Sequence, residues 1–152
     1  MPTILFVRHA DIDVPPALGA TNPPLNTAGQ ARATDLARVV GSAGVTAVFT
    51  SALTRTKQTV KPLATQLGLQ PHEVPTPAEL AQKMLAGALG PVVLVAGHSN
   101  TVPEMIAAFG VPSPIPPIGE REFDNLYVVT VGGPGPATVV RLKYGEASTT
   151  GA

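Results

Sequence analysis

Two short apolar runs, Ile4-Leu5-Phe6-Val7 and Val92-Val93-Leu94-Val95-Ala96, constrain the fold more than any other feature of the chain. Neither shows the alternation of a strand with one wet face, and both are too short for a buried helix, so each reads as a strand covered on both sides. Both runs stop abruptly at residues that carry chemistry: Arg8-His9 after the first, Gly97-His98-Ser99 after the second. A buried strand delivers the side chains at its carboxyl end with little slack, and open α/β sheets bind their ligands at those ends. A cation and an imidazole placed there point to an anion site.

Helical stretches separate the strands. Pro15, Pro16, Pro23 and Pro24 hold the chain in a loop as far as Leu25, and Asn26 or Thr27 then caps a helix from Ala28 to about Val40. In it Ala31, Leu36, Ala37 and Val40 alternate with Arg32, Asp35 and Arg38, and Gly41 and Gly44 stop it. Val45 to Phe49 reads as a short buried strand, and Thr50-Ser51 as the cap of a helix running through Arg55, Gln58 and Val60 to Leu67 and Gly68, with a kink expected at Pro62. Leu69 to Val74 reads as a weak strand, Pro77 to about Leu85 and Thr101 to Phe109 as helices, and Val111 to Ile118, with four prolines, as an ordered irregular loop. Leu126–Val131 and Thr138–Leu142 form a hairpin around Gly132-Gly133-Pro134-Gly135.

The expected architecture is an α/β three-layer sandwich: a mostly parallel central sheet with helices on both faces and antiparallel edge strands. With 152 residues there is room for one domain, expected over residues 1–145, with a flexible tail over 146–152. Charged residues make up 13% of the chain, against roughly 25% in an average domain, while 44% is hydrophobic, which supports a packed interior. Lys plus Arg and Asp plus Glu are 10 each, so no bulk charge attracts nucleic acid or an acidic membrane, and any anion binding is local. No cysteine is present, which excludes a thiolate nucleophile and cysteine-held zinc. No basic segment precedes the first apolar run, so no secretory signal is expected. The apolar runs also fall far short of the roughly 20 residues that span a bilayer, and a cytoplasmic location is the expectation.

His9 and His98 both follow strand ends, and in a doubly wound sheet neighbouring parallel strands bring such ends into one cleft. Arg55, in the first turn of the helix after Ser51, lies on the same rim. Arginine forks match phosphate oxygens, and helix amides add donors. Nearby arginines also disfavour protonation of an imidazole and keep it nucleophilic. The expected roles are in-line attack on phosphorus by His9, and retention of the equatorial oxygens by Arg8, Arg55 and His98.

Four blocks carry a resemblance to the histidine phosphatase superfamily, the phosphoglycerate-mutase-like group: Phe6-Val7-Arg8-His9-Ala10, Pro24 to Ala31, Thr50-Ser51-Ala52-Leu53-Thr54-Arg55-Thr56-Lys57-Gln58-Thr59, and Val93 to Thr101 with Gly97-His98-Ser99-Asn100. They lie in family order between about Thr3 and Val131. The resemblance implies catalysis by His9, Arg8, Arg55 and His98, with Ser51 and Ser99 as further substrate-binding residues, a phosphorylated small molecule or phosphoprotein as substrate, and no cofactor or metal. The family's commoner Arg-His-Gly has Ala10 in its third place here. Larger members carry a long cover and a glutamate general acid. This chain has one short helical stretch between Arg55 and His98, so a shallow, open site is expected. No carboxylate stands in an unmistakable acid position: Glu73, Glu79, Glu104, Asp11, Asp13 and Asp124 are candidates by region, and each also reads as a solvated charge. A weak or absent acid suits phosphoramidates such as phosphohistidine, or aryl esters, which makes the small phosphohistidine phosphatases the nearest analogue.

Three other readings are open. His9, His72 and His98 together invite a metal site, although two fixed arginine charges oppose a divalent cation, and His72 alone reads as surface. A module that binds phosphate or a phosphoprotein without turnover would keep the same pocket. A phosphoglycerate-mutase-type phosphotransferase would need a closed site that retains its phosphoenzyme.

Overall fold

A computed structural model describes residues 2–16, 18–19 and 21–148. The chain runs β1 (Thr3–Arg8), α1 (Thr27–Val40), β2 (Ala47–Thr50), α2 (Thr54–Leu67), β3 (His72–Glu73), α3 (Pro77–Leu85), β4 (Val92–Gly97), α4 (Thr101–Ala107), β5 (Asn125–Thr130) and β6 (Thr138–Lys143). The strands form one sheet in the order β3-β2-β4-β1-β5-β6. The first four in that order are parallel, and β5 and β6 run antiparallel at one edge. This is the expected α/β architecture.

Strand alternation sorts the core into two layers. Ile4 and Phe6 face one side with Val93 and Val95, where Leu80, Met84, Val102 and Ile106 of α3 and α4 cover them. Leu5 and Val7 face the other side with Leu94 and Ala96, beneath Leu36, Val40, Val60 and Leu63 of α1 and α2. The connections leaving β1 and β4 therefore diverge, one to each face, and open a crevice between the carboxyl ends of two neighbouring strands.

Several local expectations change. In α1, Arg32 is buried and Ala31 exposed, because Arg32 pairs with Asp11 at 2.6 Å and donates to the Tyr144 carbonyl at 2.9 Å. Thr50-Ser51 does not cap α2, whose N-cap is Leu53 without a side-chain bond. The helix runs from Thr54 to Leu67 with Pro62 inside it. The weak strand shrinks to His72–Glu73, and α4 ends at Ala107. Residues up to Ser148 are not a free tail: the Ser148 hydroxyl accepts from the Phe123 amide at 2.8 Å, and its own amide donates to Asp124 at 3.1 Å. The rest of the expected tail, 149–152, lies outside the described residues. Among the described residues no helix is long and apolar enough to cross a membrane.

Candidate active site

Register builds the site. Arg8 pairs with Gly97 across the parallel β1–β4 ladder, and the His9 amide donates to the Gly97 carbonyl at 2.8 Å, so His9 and His98 leave the sheet side by side. Their ring centroids are 5.4 Å apart. Gly97 is glycine for a packing reason: a Cβ there would stand 2.9 Å from Thr101 Oγ1 and 3.1 Å from both Met105 and Val102. Ala10 in the family's glycine place is equally explicable. No described non-glycine residue has positive φ, and the Ala10 methyl is buried against Leu25 and Ala33.

His9 Nδ1 lies 2.8 Å from the Ala10 carbonyl. A carbonyl only accepts, so Nδ1 carries the proton and Nε2 carries the lone pair. Burial lowers the His9 pKa from 6.5 to about 3, with Arg8, His98 and Arg55 adding to the effect and the Ala10 bond opposing it. Burial, then Arg55 and Arg8, lowers His98 to about 4. Both imidazoles are therefore neutral near pH 7. In the unfolded chain they titrate near 6.5, so between that pH and about 4 the unfolded state holds more protons. Stability is thus highest above pH 6.5 and falls as the pH drops through this window. Thermal melting at pH 7 and pH 5 is expected to show a lower Tm at pH 5, and a smaller drop in His98→Gln; equal drops would contradict this assignment.

The two arginines are held differently. Arg8 is buried at the end of β1, and its Nη1 donates to the carbonyls of Gly119, Glu120 and Glu122 at 2.9, 3.0 and 3.0 Å. Its guanidinium also lies 4.3 Å from the centroid of the Phe123 ring. Burial and the neighbouring Arg55 lower its pKa to about 10, which leaves it charged. Glu122 folds the carbonyl-bearing turn. Its carboxylate accepts from the Gly119 amide at 3.0 Å, Asn125 at 2.8 Å and Lys143 at 3.2 Å, and the first two bonds lower its pKa most. Arg55 is half-buried in the first turn of α2, and its pKa is lowered by burial. Among the described residues neither arginine has a carboxylate partner within 4.0 Å, and Arg8 Nε, Arg55 Nε and Arg55 Nη1 are buried donors without an acceptor. Cations so placed are complementary to an oxyanion.

The remaining candidates have other tasks. Ser51 Oγ lies 2.8 Å from both His98 Nε2 and Thr56 Oγ1 and accepts from the Leu53 amide at 3.3 Å. That hydroxyl is fully used in holding His98, and has no donor left for substrate. Ser99 is half-buried in the turn before α4. Asp11 pairs with Arg32, and Asp13 accepts from Asn26 at 3.2 Å. Close contact of α1 with this loop requires Gly29, where a Cβ would collide with the Asp11 carbonyl. Glu79 is exposed in the capping turn of α3, bonded to Thr76 at 3.2 Å. Glu73 is exposed on β3. Burial opposes the charge of Asp124, yet the Ser148 amide and Lys143 hold it below the usual carboxylate range. Glu104 lines a small cleft of about 120 Å³ together with Ser51, His98 and Thr101. His72 is exposed, its ring 6.2 Å from Phe49, and among the described residues no three potential metal ligands cluster.

The site is less shallow than its short cover suggests. His9 is only 3% exposed, and its second wall is Phe123, whose ring centroid is 5.9 Å from its own. The cover comes from the loop before β5 rather than from an insertion between Arg55 and His98. Sequence patterning did not reveal Phe123 and Glu122; an aromatic residue and a glutamate after a proline-rich loop were the only signal.

Two imidazoles and two guanidiniums without carboxylate partners at the carboxyl end of a parallel sheet form a pocket complementary to a tetrahedral oxyanion. The sequence model of the histidine phosphatase superfamily, branch 1, matches residues 4–89, more than half of the chain, and the protein belongs to that family. No curated protein matches the sequence significantly. Among solved structures, the protein histidine phosphatase SixA complexed with tungstate is 20% identical with a TM-score of 0.74, over 93% of this chain and 96% of that one. Bacillus stearothermophilus YhfR is 16% identical, TM-score 0.70, over 91% and 95% of the two chains. A phosphoserine phosphatase variant from Entamoeba histolytica in complex with phosphoserine is 11% identical, TM-score 0.69, over 91% and 95%. At these identities the likeness establishes the fold, and family membership supports a phosphatase.

Proposed function

We propose that the protein hydrolyses a phosphomonoester or phosphoramidate through a phosphohistidine intermediate on His9. The observation that carries this reading is the fixed tautomer of His9 beside two arginines with unused buried donors. The Nε2 lone pair attacks phosphorus as the bond to the leaving group breaks, and the leaving group departs with that electron pair and takes up a proton. Water then attacks the phosphorus of the phosphohistidine, the P–Nε2 bond returns its pair to the ring, and inorganic phosphate leaves. Arg8 and Arg55 hold the equatorial oxygens, with Ser99 at the rim, and stabilise charge without a metal, whose binding two adjacent guanidiniums oppose; His98, whose ring is held by Ser51, flanks the nucleophile as a neutral wall of the site.

The preferred substrate class is a phosphoramidate such as phosphohistidine, or an aryl ester. Asp11, Glu79 and Asp124 are engaged elsewhere, and of the candidate carboxylates Glu104 alone lines a cleft with His98, so leaving groups that need little protonation make the least demand on the site. The likeness to the structure of SixA, a protein histidine phosphatase, supports this preference. The deciding measurement is a panel of phosphohistidine, aryl phosphate, nucleotide and sugar phosphate with chelator present. Turnover of the first two above the others, with a base-stable, acid-labile phosphoenzyme, is expected. Phosphate binding without any turnover between pH 5 and 8 would instead make the protein a phosphate-binding module.

A further inference from the structure

The buried face of α2 carries two threonines that the chemistry above does not use. Thr56 and Thr59 are each 0% exposed, and an apolar residue would satisfy packing at either place. Instead each hydroxyl is bonded on both sides. Thr59 Oγ1 donates to the Arg55 carbonyl at 2.7 Å and accepts from the Ala10 amide at 2.8 Å. The Ala10 carbonyl is the group that takes the His9 Nδ1 proton. Thr59 thus holds Ala10 by its amide, while the carbonyl of the same residue takes the nucleophile's Nδ1 proton, and ties that residue to the backbone of Arg55.

Thr56 acts on the other imidazole. Its Oγ1 lies 2.9 Å from the Leu53 carbonyl and 3.2 Å from the Ser51 carbonyl, and both can only accept. Its single proton is therefore committed to them, so the Ser51 hydroxyl donates to Thr56 at 2.8 Å. Ser51 Oγ is then the acceptor for His98 Nε2–H at 2.8 Å, which leaves Nδ1 as the other ring nitrogen. Residues three apart share one helix face, so a single turn of α2 reaches both strand ends.

We propose that Thr56 and Thr59 are positioning residues: Thr59 orients His9 through Ala10, and Thr56 sets the tautomer of His98 through Ser51. This assignment rests on the phosphatase reading for its kinetic consequence, though not for its structural one. Removing the Thr59 hydroxyl leaves a buried amide unpaired and releases the peptide beneath His9, and small misplacements of a nucleophile reduce rates by up to about 100-fold.

The test uses Thr59→Val, Thr56→Val and Thr59→Ser in the full chain, with aryl phosphate as probe and nitrogen-proton NMR of the imidazoles. Thr59→Val is expected to lower kcat roughly 10- to 100-fold with little change in KM. It should weaken the His9 Nδ1–H signal while leaving that of His98 in place, and Thr59→Ser should restore most of both. Thr56→Val should show the reverse pattern, with the His98 Nε2–H signal lost. If Thr59→Val does not fold, Thr59→Ala removes the hydroxyl without a branched methyl and is read in the same way. A variant that melts earlier yet keeps wild-type kcat and imidazole signals would overturn the proposal and leave both threonines purely structural. If the wild-type protein turns over no phosphate ester, the phosphatase reading fails by itself, and the two imidazole spectra still decide this inference.

Discussion

His9→Ala is expected to abolish turnover, with a loss of at least about a thousandfold, or about 4 kcal/mol of transition-state stabilisation. The lone pair on Nε2 exists because Nδ1 is committed to the Ala10 carbonyl, and no other described imidazole is so held beside both arginines. The substitution is also expected to leave the fold intact. It removes a ring that burial keeps uncharged, and the neighbouring Phe123 and His98 rings stay on separate elements. Three measurements check this together: hydrolysis of an aryl phosphate, covalent labelling by labelled substrate, and the thermal melt at pH 7. Substantial residual turnover with a labelled protein would place the nucleophile elsewhere.

Arg8→Ala is expected to cost both stability and activity, and in this it differs from Arg55→Ala. Truncating Arg8 strands the carbonyls of Gly119, Glu120 and Glu122 and uncovers one face of Phe123. With about 1 kcal/mol or more for each group left unsatisfied, a loss of about 2–4 kcal/mol is expected, alongside a fall in kcat/KM of about a thousandfold. Arg55→Ala removes a half-buried cation whose guanidinium donors Nε and Nη1 have no protein partner, so it should reduce turnover with little change in Tm. Arg8→Lys should keep the charge yet recover little, because an ammonium cannot span three carbonyls and an oxyanion at once. Denaturant melts and kcat/KM on the same preparations decide the matter. Equal stability losses for Arg8→Ala and Arg55→Ala would refute the anchoring role assigned to the loop before β5. Phosphate should raise the wild-type Tm and not that of Arg8→Ala.

The strand ends were legible because buried parallel strands read as unbroken apolar runs, and the residues after them have nowhere to go except the rim of the sheet. Helical spacing groups Arg32 with the polar residues of α1, yet it is buried, because spacing reports which face a residue occupies and not whether a partner such as Asp11 awaits it there. A hydroxyl after a strand fits both capping and substrate binding, and nothing local to Ser51 points to His98, because that bond depends on a pairing across 47 residues of chain. The turn that grips Arg8 is more remote still, 111 to 114 residues away, and its contacts are backbone carbonyls, which any sequence could supply.

By itself, the sequence determined the architecture, the family and the two histidines and two arginines proposed to form the site, since each follows from apolar patterning or from residue types at strand ends and a helix start. Only the tertiary structure decided how those groups are held. The tautomer of His9, the depth given by Phe123, the anchoring of Arg8 and the threonine relays all depend on hydrogen bonds between segments far apart in the chain. Such bonds depend on angles and distances of a few tenths of an ångström, and these appear only once the sheet register and both helical layers are in place.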